Sequence, residues 1–239
     1  MKKLVVITGA SSGIGMELAR RFSAEGHPVL MLARRREVME ELNLPNSLCR
    51  SVDVTDLEAM QSAVREAEEL YGKTDLLINC AGLMLLGYPA EQDFDEWSRM
   101  IDVNVKGVLT GTKAVLSDMI ARNEGTIINI RSIAGRKTFD NHSVYCGTKY
   151  AVHAMTESMR REVSGSNVRM IVIAPGVVET PLLSHTSNQE IKDNYNLWKQ
   201  EIDGGLEPSQ IADCAWFAYQ MPQEVCVREI VIAKTKQAD

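Results

Sequence analysis

Seven short apolar runs recur along this chain, and each is separated from the next by a stretch long enough for a helix. They fall at 4–7, 28–32, 49–54, 75–79, 125–130, 168–174 and 229–233. Parallel strands need long crossovers, and helical crossovers cover both sheet faces, so the strands read as continuous apolar runs. The alternation therefore predicts an α/β fold with a doubly wound parallel sheet of about seven strands and right-handed connections. Helical spacing is clear across 13–25, where Ile14, Leu18, Ala19 and Phe22 share a face. It recurs across 36–42, 93–121, 142–164 and 208–220, and Thr55, with Glu58 three residues on, predicts the N-cap of a helix reaching about Tyr71. Residues 176–206 carry little pattern, are polar at SHTSNQE and end in Gly204-Gly205, which suggests a mobile lid. With no linker or repeat, residues 1–239 read as one domain.

Composition removes several function classes. The formal net charge is -6, which argues against a broad nucleic-acid footprint. Five scattered cysteines without a C-x-x-C pair fit a reducing, cytoplasmic setting. The four histidines lack metal-ligand spacing, so no metal is expected. No apolar run approaches the ~20 residues needed to span a bilayer.

TGASSGIG (8–15) joins the first strand to the first helix. Gly9, Gly13 and Gly15 allow a tight turn and close approach of a phosphate, while Ser11, Ser12 and Ile14 bring it to a helix start whose free N–H groups attract anions. Tyr145 and Lys149 lie four residues apart on one predicted helix face. An ammonium beside a phenol lowers its pKa and fits it for proton transfer, although such pairs are also common on helix surfaces. Asn104 sits inside the apolar helix IDVNVKGVL, where asparagine is unfavourable.

With NCAG (79–82), NVKG (104–107), Ser132, YCGTK (145–149) and PGVVET (175–180), the chain resembles the short-chain dehydrogenase/reductase family over nearly its whole length. The resemblance implies one Rossmann-like domain, strand order 3-2-1-4-5-6-7, and a homotetramer or homodimer joined through the helices at 93–121 and 142–164. Trp97, Val108, Val152 and Met155 are apolar residues there. It also implies a catalytic tetrad of Asn104, Ser132, Tyr145 and Lys149, with Asn104 distorting its helix and Lys149 holding the nicotinamide ribose. By the same resemblance Asp53 and Val54 flank the adenine; Asp53 equally reads as a helix-start charge near Thr55. The backbone from Asn79 through Ala81 to Gly82 meets the adenosine ribose, and Pro175, Gly176, Val178 and Thr180 surround the nicotinamide. Two positions depart from the family pattern. Cys80 replaces an asparagine, and Arg131 precedes Ser132, either to favour an anionic substrate or to point away along its strand.

Cofactor choice is read after the second strand, where an acidic residue selects NAD. Here Ala33 is followed by Arg34 and Arg35, whose planar forks suit a phosphate, so NADP(H) is expected. Arg36, with Glu37 behind it, reads as the solvated start of the next helix. Met84, Leu85, Leu86, Val177, Leu182 and Leu183 predict an apolar substrate pocket, with 135–140 bounding its entrance. The expected activity is NADP(H)-dependent interconversion of a small alcohol or hydroxy acid and its carbonyl, with Tyr145 as acid/base. The alternative is an NADPH-binding protein resembling the bacterial blue fluorescent proteins, with incidental reductase chemistry.

Overall fold

A computed structural model describes residues 2–238. The apolar runs become strands β1 (Leu4–Thr8), β2 (Val29–Ala33), β3 (Ser47–Ser51), β4 (Thr74–Asn79), β5 (Gly125–Ile130), β6 (Val168–Pro175) and β7 (Glu229–Ile232). All pair in parallel, in the order β3-β2-β1-β4-β5-β6-β7. Successive side chains on β1 enter opposite cores: Val5 and Ile7 pack with Phe22 and Ile211, whereas Leu4 and Val6 pack with Met60 and Val115. Both faces are thus sealed by helices. The first layer is α1 (Gly13–Ala24) and α8 (Pro208–Gln220), and the second includes α3 (Leu57–Tyr71) and α5 (Gly107–Arg122). The strand order reverses between β1 and β4, which opens a crevice at their carboxyl ends. No helix among the described residues is long and apolar enough to cross a membrane.

Several expectations shift at element boundaries. A short helix, α2 (Arg36–Glu40), follows β2, and Arg36 pairs with Glu40 inside it at 2.7 Å. Asp56, not Thr55, caps α3, its carboxylate accepting from Ala59 N at 3.0 Å. Thr55 is engaged elsewhere, donating its N–H and hydroxyl to Asp53 at 2.9 and 2.8 Å. That turn also ends the third strand at Ser51, earlier than the apolar pattern suggests. The segment expected as one helix is three pieces: α4 (Phe94–Ile101), a π-helical segment Asp102–Lys106, and α5. Residues 176–206 are more ordered than their composition suggests, with a 3-10 turn Pro181–His185 and the helix α7 (Gln189–Glu201). Its apolar positions Ile191, Tyr195, Trp198 and Ile202 are helically spaced but diluted by polar neighbours. Helix α6 (Ser143–Glu162) follows β5. Val108 and Val152 are buried within the chain, and Trp97 and Met155 are half-buried, so these four do not form an exposed face.

Candidate active site

The π-helical segment exists because of Asn104. Its Oδ1 accepts from Leu83 N at 2.7 Å, while Nδ2 donates to Leu83 O at 2.9 Å and to Thr148 Oγ1 at 3.1 Å. The side chain pairs with backbone as a neighbouring strand would, and the extra residue in the helical turn aims it there. The loop after β4 is tied on its other side, where Thr8 Oγ1 accepts from Cys80 N and Ala81 N at 3.0 and 3.2 Å. Lys149 comes close to the same loop. A β-carbon on Gly82 would lie 3.4 Å from Asn104 Oδ1 and 3.7 Å from Lys149 Nζ.

Ser132 leaves β5 in extended conformation and caps a short turn, its Oγ accepting from Ala134 N at 3.1 Å. The same hydroxyl hydrogen-bonds the Tyr145 phenol. Lys149 Nζ lies 5.6 Å from the Tyr145 ring centroid. Both residues are buried, at 5% and 7% exposure, and among the described residues Lys149 has no carboxylate partner. Its ammonium donates to the Ile130 carbonyl at 3.5 Å. Burial pulls the Lys149 pKa down to about 8. Burial also lifts Tyr145 well above the ordinary phenol value, outweighing the lowering from Ser132. The lowering expected from Lys149 is therefore not what this geometry gives, and the phenol stays protonated at neutral pH.

A cavity of about 420 Å³ runs along the crevice. It is lined by Gly9, Ser11, Ser12, Gly13, Ile14, Gly15, Arg34, Arg35, Asp53, Val54, Ala81, Gly82, Tyr145, Lys149 and Thr180 among the residues expected there. The glycine turn leaves no room for side chains. At Gly9, with φ +70°, a β-carbon would meet Ala81 Cα at 2.8 Å, and at Gly15 it would overlap the Gly9 carbonyl oxygen. Ser12 makes no side-chain cap bond, so the first-turn amides of α1 face the cavity without an internal acceptor. Arg35 Nη2 donates to Ser11 Oγ at 3.1 Å, and both Arg34 and Arg35 are exposed at the rim. His185, absent from the expected set, also lines this cavity; burial and the nearby Arg34 and Arg35 push its pKa down. Asn79 is not brought to the cavity. Its side chain turns inward, donating to Asn129 Oδ1 at 2.8 Å beneath Gly111.

A second cavity, about 540 Å³, adjoins the first at Tyr145. Ser132, Pro175, Gly176 and Val178 line this one, and Thr180 borders both. Met84, Leu86, Val177, Leu182 and Leu183 form apolar wall as expected, whereas Leu85 is packed into the core. Phe139 and Asp140 come from the segment expected at the entrance. Tyr195, Trp198 and Lys199 of α7 complete the wall and had no sequence signal beyond the diluted spacing of that helix. Gln237 closes the far end, its Oε1 accepting from Val177 N at 3.0 Å. Arg131 borders both cavities, but its buried guanidinium turns along the sheet, pairing with Glu229 of β7 and donating to Gly135 O at 2.6 Å.

The sequence profile of the short-chain dehydrogenases matches residues 3–191. The chain belongs to the short-chain dehydrogenase family. An uncharacterised oxidoreductase of Staphylococcus saprophyticus is 40% identical to this short-chain dehydrogenase over 243 residues, covering 99% of this chain and 97% of the relative. A glycine betaine reductase of Emericella nidulans is 35% identical over 239 residues, 96% of this chain but 18% of that longer protein. Among solved structures, the closed form of serine dehydrogenase complexed with NADP+ superposes with a TM-score of 0.91 at 30% identity, covering 99% of this short-chain dehydrogenase and 96% of that chain.

Proposed function

We propose that the protein is an NADP(H)-dependent oxidoreductase that interconverts a small alcohol and its carbonyl compound. The observation that carries this reading is the placement of Tyr145, which borders both cavities and holds Ser132 on one side and Lys149 near its ring. The glycine turn, the free α1 amides and the paired arginines fit a dinucleotide whose adenosine ribose bears a phosphate. Lys149, which has no carboxylate partner among the described residues, can donate to ribose hydroxyls. Pro175, Gly176, Val178 and Thr180 border the cavity beyond and would enclose the nicotinamide end. When bound, the nicotinamide supplies the hydride for the carbonyl carbon. Tyr145, protonated and hydrogen-bonded to Ser132, gives the carbonyl oxygen its proton, completing the alcohol. Asn104 holds the Leu83 backbone and so the loop against which Lys149 rests.

Segment 176–206 acts as a lid within the single domain. Glu179 ties its two ends, accepting from Lys199 Nζ at 2.7 Å and from Gly205 N at 2.6 Å. Oligomer formation through α4, α5 and α6, as homotetramer or homodimer, is supported by exposed Phe94, Ile101, Leu109, Ile120 and Tyr150. Two of the similar proteins are named for zwitterions, serine and glycine betaine, each with a positively charged nitrogen beside a carboxylate, which supports small nitrogen-bearing compounds as substrates.

The reading is tested by NADPH oxidation with a panel of short aldehydes and ketones. Tyr145→Phe should lower kcat by about 10²-fold or more while NADPH binding persists. Arg34→Asp should erode the preference for NADPH over NADH. An unchanged rate in the tyrosine variant would sink the enzyme reading and leave an NADPH-binding protein.

A further inference from the structure

We propose that the cavity beside Tyr145 is built to hold a quaternary ammonium group, so that the substrate is a short trialkylammonium alcohol or its aldehyde. This inference rests on the oxidoreductase reading and specifies its substrate class.

Four rings beyond Tyr145 line this one cavity: Phe139, His142, Tyr195 and Trp198. They form an unbroken wall. Phe139 and His142 have centroids 5.7 Å apart, His142 and Tyr195 6.3 Å, and Tyr195 and Trp198 5.5 Å. The wall begins at the reacting end, because His142 lies 6.1 Å from Tyr145. Two elements supply it, the turn leading into α6 and the helix α7, and they meet where His142 packs against Tyr195, so the rings form one continuous side of the cavity. Ring faces attract a desolvated cation placed within ~6 Å of their centroids.

His142 belongs to this wall as a neutral ring. Its Nδ1 lies 2.6 Å from the Asp140 carbonyl oxygen, which can only accept, so Nδ1 carries the proton. Burial pushes its pKa below the ordinary histidine value, which leaves Nε2 with a lone pair near neutrality. No positive charge from this side chain opposes a bound cation.

The charges around the cavity point the same way. Arg131 pairs with Glu229, which it shares with the exposed Arg136, and Lys199 pairs with Glu179. Asp140 has no ion-pair partner among the described residues and stands exposed on the lining. Among the residues lining this cavity, the charge left without an ion-pair partner is therefore negative, while the unpaired Lys149 belongs to the adjoining cofactor crevice. A hydroxy acid would bring a carboxylate to a pocket whose two cations are already paired and whose open charge is another carboxylate. A trialkylammonium group has no N–H to satisfy, so rings and methyl groups suffice to desolvate it. The short step from Tyr145 to His142 puts the charged end only a few bonds from the reacting carbon.

The test compares choline with its neutral isostere, 3,3-dimethyl-1-butanol, binding to the NADP+-saturated protein by calorimetry. Choline should bind about tenfold tighter or better, the effect of a desolvated cation on aromatic faces. Trp198→Leu and Asp140→Asn should each shrink that ratio by about threefold or more while NADP+ affinity is unchanged. Equal or tighter binding of the isostere, binding of neither, or a ratio untouched by both variants would overturn the proposal. A kinetic arm separates this from the underlying reading. Betaine aldehyde and 3,3-dimethylbutanal are compared as oxidants of NADPH, with Tyr145→Phe as control. Reduction of both with similar kcat/KM keeps the oxidoreductase and removes the ammonium site. A tyrosine variant that reduces aldehyde at the wild-type rate removes the oxidoreductase reading, and the binding ratio still decides the ammonium site.

Discussion

Lys149 shows how much a single buried charge can report. Its pKa in the folded protein, about 8, lies below the ordinary 10.5. Between those values the unfolded chain holds the extra proton, so this residue's contribution to stability rises with pH across that window and is lowest below it. Ribose hydroxyls accepting from the ammonium would raise its folded pKa. NADP+ binding at about pH 8.5 should therefore take up a proton. Calorimetry in two buffers of different ionisation enthalpy reads this directly, with uptake in the wild type and none in Lys149→Met. A wild type without uptake would place the ammonium away from the cofactor. Arg131 and Glu229 give a second, asymmetric prediction. The arginine side chain is fully buried, whereas the glutamate is 26% exposed and also meets Arg136 at 3.3 Å. Glu229→Gln strands a buried cation and should approach the ~3–5 kcal/mol typical of a broken buried pair. Arg131→Met leaves a glutamate with a second partner and should cost less. Denaturant melts of the two variants give the order.

At the scale of elements, the π-helical segment is the joint on which the crevice depends. Asn104→Ala would leave the Leu83 N–H and C=O buried without partners, at about 1–3 kcal/mol for each unsatisfied group. Chemical denaturation should show that loss together with weaker NADP+ binding, since the loop carrying Ala81 and Gly82 loses its anchor. An undiminished melt would mean that α4 and α5 hold the segment without it. The strands and their order were legible because a parallel sheet buried on both faces leaves an apolar run at every strand. The glycine turn was equally legible, since only glycine fits where it approaches the next loop. Helix α7 was not, because its apolar face is narrow, with Ile191, Tyr195, Trp198 and Ile202 set among exposed asparagines and charges. The inward turn of Asn79 was hidden for another reason. Its partner Asn129 lies fifty residues away, on the neighbouring strand, and only the β4–β5 register brings them together.

For the whole molecule, the apolar surface left on α4, α5 and α6 needs a cover. Phe94 is 70% exposed and Ile101 50%, seven residues apart and so on one side of the helix. Light scattering should give a multiple of the chain mass, and Ile101→Glu should shift it toward the monomer. A wild-type monomer at micromolar concentration would leave that surface to a different role. The two cavities also differ in how much of the sheet they lean on. The cofactor crevice draws on residues up to His185, whereas the second cavity is closed by Gln237, which follows β7. Since β7 is the edge strand beside β6, loosening it would breach the chamber beside Tyr145 while the crevice between β1 and β4, at the middle of the sheet, kept its lining.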